Sequence, residues 1–224
     1  MSEKIMEISD AGLYTEVVQS ITKKIVSRIY GKGRGWAFSQ TDFTDIGSRA
    51  AVDQALSRLT RRGSIRRLRP GLYDYPRYSE LLNRTVGPNM EQVARAFARK
   101  HNWDVVPDEA TSLQLLGLDT QVPARYRFLS SGPKAEYDIL GMKLQLEHRK
   151  QQRTSINDPF AASLVQALHA VGQGNLTDDE RNHLASLRTP REYARIVRQT
   201  RSVTSWVHEE LKTIAAVAQE KHRQ

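Results

Sequence analysis

Residues 48–75 read SRAAVDQALSRLTRRGSIRRLRPGLYDY, and the breakers in this run leave it few ways to fold. Ser48 can cap a helix whose apolar stripe is Ala51, Ala55, Leu56 and Leu59. Gly63 ends that helix. Ile65 and Leu68 then flank basic residues in a short strand, Pro70-Gly71 suits a tight turn, and Leu72, Tyr73, Asp74 and Tyr75 form a returning strand. Six of the twelve residues 58–69 are arginine, with no acid among them. Arginine keeps its charge at any working pH, and its planar donor fork matches phosphate and the guanine edge. A helix followed by an arginine-lined hairpin is the layout of a winged helix-turn-helix that grips DNA.

The flanking residues complete such a domain. Val17, Val18, Ile21, Ile25, Val26 and Ile29 recur at helical spacing over 16–30. Gly31 to Gly35 ends that helix and leads into an apolar strand, Trp36-Ala37-Phe38. A second helix is expected from Ser39 or Thr41, holding Phe43 and Ile46 and broken by Gly47. The expected organisation is α+β. Residues 12–77 form the winged helix-turn-helix, and 78–224 form a mixed α+β domain whose last part is helical.

In the second part, 76–88 reads as a connector and 90–100 as an amphipathic helix. Strands are expected over 103–106, 125–129, 137–140 and 142–147, with a short helix over 110–118. Asp158-Pro159 is a good cap and first-turn pair, and helices are expected over 160–171, 178–187, 190–199 and 203–219.

Charge separates the two parts. The 224 residues carry 34 Lys plus Arg against 25 Asp plus Glu, a net of +9. Residues 16–77 hold 13 basic and 5 acidic residues, so +8 of that excess sits in the first third. This is the footprint of one polyanion-binding module attached to a neutral one. The chain has no cysteine, which removes disulfides, thiolate zinc sites and cysteine nucleophiles and fits a reducing cytosol. Glu3, Glu7 and Asp10 interrupt the first fifteen residues, which do not read as a signal peptide. No run reaches the ~18 apolar residues that a membrane span requires. The expectation is a cytoplasmic protein with no membrane contact.

In a helix-turn-helix the second helix enters the major groove with its N-terminal residues. Ser48, Arg49, Asp53, Gln54 and Ser57 lie off the apolar stripe. Arg49 and Gln54 are the candidates for guanine and adenine edges. Arg58, Arg61 and Arg62 at the far end of the helix are expected on phosphates. Arg66, Arg67 and Arg69 of the wing are expected on the backbone or in a narrow minor groove. Lys32 and Arg34, in a glycine-flanked loop, are further phosphate candidates.

The run from Trp36 to Tyr75, with its Ala-Leu-Ser-Arg-Leu helix, Gly-Ser-Ile-Arg-Arg-Leu strand and Arg-Pro-Gly-Leu-Tyr turn, resembles AbiEi-type antitoxins of type IV abortive-infection toxin–antitoxin systems. The likeness extends loosely into 137–149. It implies a repressor of its own operon that binds operator duplex DNA. It also implies a C-terminal domain that counteracts a nucleotidyltransferase-like toxin. Self-association is compatible with it.

Enzymatic chemistry has one candidate pattern. Asp138 followed by Glu147-His148-Arg149-Lys150 is similar to the carboxylate and Glu-x-Lys strand with which restriction-type nucleases hold a metal. Position 149 is arginine rather than lysine, and a charged outer strand face accounts for the pattern more simply. The histidines (His101, His148, His169, His183, His208 and His222) lack zinc-ligand spacing. Gly31 to Gly35 lacks the Walker spacing, and Ser130-Ser131-Gly132-Pro133 reads as a hairpin turn. No catalytic residue, metal or cofactor is expected. The alternatives to a repressor are a DNA-binding protein with a metal-dependent nuclease domain and a winged-helix regulator whose second domain senses a ligand.

Overall fold

The computed structural model describes residues 10–119, 121, 125–149, 156 and 158–223, with side chains from Ser20 onward. The architecture is mixed α+β, and the chain divides into two units, Met1–Asn102 and Trp103–Gln224. The expected division was after residue 77.

The first unit opens with α1 (Asp10–Lys32), followed by β1 (Ala37–Phe38) and a single 3-10 turn (Gln40–Phe43). Then come α2 (Arg49–Arg61), β2 (Arg66–Arg69) and β3 (Leu72–Asp74). Ile21, Ile25 and Ile29 repeat every four residues and bring one face of α1 onto Ala51, Val52, Ala55, Leu56 and Leu59 of α2. Trp36, Phe38 and Phe43 fill the space beside them, with Phe38 edge-on to Phe43 at 5.5 Å. Burying these side chains stabilises the unit by about 1.5–3 kcal/mol for each large one. The expected second helix is only the 3-10 turn. Ser39 donates its N–H to the Asp42 carboxylate at 2.9 Å, which closes the turn at once.

The three strands form an antiparallel sheet in the order β1-β3-β2. Arg66 stands opposite Asp74 and Arg67 opposite Tyr73, with an irregularity before Arg69. The stretch expected to be a plain connector contains a small hairpin, β4 (Tyr78–Ser79) and β5 (Arg84–Thr85). Helix α3 (Met90–His101) follows and packs against β1 and the 3-10 turn, so it belongs to this unit.

The second unit begins with β6 (Val105–Pro107) and α4 (Glu109–Leu115), then β7 (Arg125–Ser130), β8 (Ala135–Ile139) and β9 (Met142–His148). Their order in the sheet is β6-β7-β9-β8, with β7 and β9 parallel. Ser130 to Pro133 is therefore not a hairpin turn, because β9 lies between the strands it joins. The tight turn is Leu140-Gly141, both with positive φ, between the paired ends Ile139 and Met142.

Four helices complete the unit: α5 (Pro159–Val171), α6 (Asp178–Ser186), α7 (Pro190–Gln199) and α8 (Ser205–Lys221). Leu164, Leu168, Leu184, Tyr193, Ile196, Val207, Leu211 and Ile214 form their shared core. The Tyr193 hydroxyl donates to the Leu184 carbonyl, and burial raises its pKa well above the ordinary tyrosine value. No helix among the described residues is long and apolar enough to cross a membrane.

Candidate nucleic-acid interface

Helix α2 sorts its residues by the 3.6-residue period. Ala51, Val52, Ala55, Leu56 and Leu59 are buried, which leaves Ser48, Arg49, Asp53, Gln54, Ser57 and Arg61 exposed on the other side. Ser48 is the N-cap, and its hydroxyl accepts from the Ala51 N–H at 3.4 Å. Arg49 lies one turn from Asp53, with Nε 3.8 Å from the carboxylate, a loose pair on an open surface. Arg62 caps the far end and is exposed, and Gly63 at φ +70° lets the chain leave the helix.

On the hairpin, strand alternation divides the arginines. Arg66 faces inward. Its Nε and Nη2 donate to both oxygens of Asp74 at 3.0 and 2.6 Å, and Nη1 donates to the Val86 carbonyl at 3.1 Å. Asp74 is only 1% exposed. Arg66 was expected on the nucleic-acid backbone; in the structure all three of its guanidinium nitrogens donate to groups inside the unit. Arg67 is exposed beside Tyr73, and Arg69 is half-buried.

Arg34 is exposed but oriented. Its Nη1 donates to the Pro76 carbonyl at 2.9 Å, and its guanidinium sits 4.7 Å from the Tyr75 ring centroid. Lys32 is exposed at the end of α1. Among the described residues, the guanidinium groups of Arg58, Arg61, Arg62 and Arg67 have no hydrogen bond or ion pair within the chain. Sequence reasoning missed Arg28, Asp42, Asp45 and Arg99, which brace the approach to α2. The partners of the two arginines lie 14 to 62 residues away, and no local pattern signals them.

The second unit carries its own basic face. Arg188, Arg191, Arg195, Arg198 and Arg201 are exposed at spacings of three or four, while Tyr193 and Ile196 are buried on the other side of α7. Arg195 pairs with Asp158 at 3.3 Å, and Arg188 lies 4.0 Å from the Phe160 ring centroid.

The nuclease-like pattern does not assemble. Asp138 stands opposite Lys143, four residues before Glu147 on β9, which puts the two carboxylates about 13 Å apart along the sheet. Each is paired with a lysine, Asp138 with Lys143 and Glu147 with Lys134, both at 3.2 Å. Lys150 lies outside the described residues. No group of three or more His, Cys, Asp or Glu among the described residues could hold a metal ion. An open groove of 420 Å³ beside the start of α7 is lined by Leu187, Thr189, Pro190, Lys221 and others, not by a buried apolar wall.

A model of a family described as a family of unknown function, DUF6088, matches residues 24–196. No curated protein and no solved structure matches the chain.

Proposed function

We propose that this chain, which belongs to the family of unknown function DUF6088, is a DNA-binding transcriptional regulator of the antitoxin type. The first unit is proposed to be a winged helix-turn-helix. That reading is supported by its element order, from α1 through the three-stranded sheet β1-β3-β2, and by the arginine hairpin beyond α2. Helix α2 is the proposed reading helix, with Arg49 and Gln54 on base edges and Ser48 and Ser57 beside them. Arg58, Arg61, Arg62, Arg67, Arg69, Lys32 and Arg34 would grip phosphates.

One observation carries this proposal. Arg58, Arg61, Arg62 and Arg67 lie on one helix and its hairpin without an internal anion, whereas Arg66 on the same hairpin has one. Four uncompensated guanidinium groups repel one another, and a polyanion relieves that repulsion. Duplex DNA from upstream of the chain's own gene, titrated at several salt concentrations, tests it. Each phosphate contact should add about 0.9 to the negative slope of log K against log salt, so four to six contacts predict a slope near −4 to −5. Weak binding that is flat in salt would overturn the proposal.

The antitoxin role rests on the resemblance to AbiEi-type proteins. Within it the chain represses its own operon from the cytoplasm, and the second unit counteracts a nucleotidyltransferase-like toxin. Co-expression with the adjacent reading frame tests this: relief of growth arrest supports it, and an inert neighbour removes it. The metal-dependent nuclease alternative receives no support from the separation of Asp138 and Glu147.

A further inference from the structure

Ten residues, 39–48, separate β1 from α2, and two aspartates within them are held from opposite directions. From α1, Arg28 donates through Nη1 and Nη2 to the two oxygens of Asp45 at 2.7 and 2.6 Å. Its Nη1 also reaches the Asp42 carbonyl at 2.7 Å. From α3, Arg99 donates through Nε to the Asp42 carboxylate at 2.6 Å and through Nη2 to the Ala37 carbonyl at 2.7 Å. The other Asp42 oxygen accepts the Ser39 N–H. Phe43, fully buried between the two aspartates, pins the segment from below. At Gly47 a Cβ would come within 2.9 Å of Ile21 on α1, so the chain already lies against that helix.

We infer that Arg28 and Arg99, acting through Asp45 and Asp42, are positioning residues for DNA reading by α2. They touch no base and no phosphate. They set where Ser48 and Arg49, the first residues of the reading helix, stand relative to α1 and α3. The inference rests on the DNA-binding reading above. Exposed ion pairs add little to stability, and Asp45 is 64% exposed on its side chain. What the two-toothed Arg28–Asp45 contact supplies is orientation. Each aspartate also places a negative charge on the unit that carries most of the net positive charge, which works against phosphate binding unless the carboxylate does something else.

That opposition gives a test by sign. The full-length chain is titrated against its preferred duplex, selected from a random pool, and against an unrelated duplex, well below the thermal midpoint followed by circular dichroism. Asp45→Asn removes a negative charge while keeping the side chain's size. A mere surface charge predicts equal or tighter binding to both duplexes. A positioning role predicts about five- to tenfold weaker binding to the preferred duplex, the low end of what one mismatched base pair costs. Binding to the unrelated duplex and the salt slope should stay as they were, because no phosphate contact is lost. Arg28→Lys keeps the charge but loses the paired geometry, and should show the same selective loss. It also decides the matter if Asp45→Asn fails to fold. Unchanged or improved discrimination in both variants overturns the inference and leaves DNA binding standing. If the unaltered chain binds neither duplex, the DNA reading fails and this inference falls with it.

Discussion

Arg66 and Arg67 are adjacent in sequence and have opposite roles. Strand geometry sends successive side chains to opposite faces, so Arg66 shares the inner face with Leu68 while Arg67 looks outward. Replacing Arg66 by alanine would leave the Asp74 carboxylate buried without a partner, and should destabilise the unit by about 3 kcal/mol in urea denaturation. Arg67→Ala should change stability by less than about 0.5 kcal/mol, yet reduce the salt slope of duplex binding by about 0.9. A stable Arg66→Ala variant with a reduced slope would return that residue to the DNA surface.

Asp45 offers a pH prediction at the same scale. Arg28's hydrogen bonds to its carboxylate are the main reason its pKa falls from 3.8 to about 2. A depressed folded-state value means that the stabilisation is present above the unfolded pKa. It is lost as the pH falls from near 4 through about 2. Because the pair is exposed its share of stability is small, so the direct readout is the Asp45 carboxyl titration followed by NMR, whose midpoint Arg28→Lys should move back toward 3.8. A curve that superimposes on the unaltered chain's would contradict the assignment.

Among the elements, the helices were the most legible in the sequence. The expected spans 90–100, 160–171, 178–187 and 190–199 differ from α3, α5, α6 and α7 by a residue or so at their ends, because caps and apolar periods are local signals. Helix α7 shows why. Thr189 accepts the Glu192 N–H at 3.4 Å, and Glu192 returns the contact to the Thr189 N–H at 2.8 Å, which pulls the Glu192 pKa down. Thr189→Ala should cost about 1 kcal/mol by thermal melt. The 3-10 turn over Gln40–Phe43 was shorter than the apolar spacing suggested, because Asp42 satisfies the Ser39 N–H within one turn.

Sheet order was not legible. Nothing local to 130–133 reveals that β9 inserts beside β7. Nor does it reveal that Gly132 lies under the Trp103 indole, where a Cβ would come within 2.3 Å of the ring. Gly132→Ala should therefore destabilise the second unit by about 1–3 kcal/mol, measured by denaturant unfolding. A neutral outcome would mean that the ring moves aside freely.

At the scale of the whole molecule, the charge count had separated a basic first third from a neutral remainder. The structure refines both halves. The division falls after Asn102 because α3 packs on β1 and the 3-10 turn and Arg99 reaches across to Asp42. The neutral remainder is an average, since five arginines between 188 and 201 are exposed at helical spacing, two of them beside the carboxylates of Glu192 and Asp158.

The amino-acid order alone determined the α+β class, most element positions, the apolar stripe of α2 and the concentration of arginine around it. Each of these depends on periods and caps within about four residues along the chain. Only the tertiary structure decided which arginines remain free to meet a partner. Arg66, Arg28 and Arg99 are spent on Asp74, Asp45 and Asp42, which stand 8, 17 and 57 residues away. A guanidinium's availability depends on which carboxylate the folded chain brings within 3 Å of it. Spacing along the chain does not encode that distance.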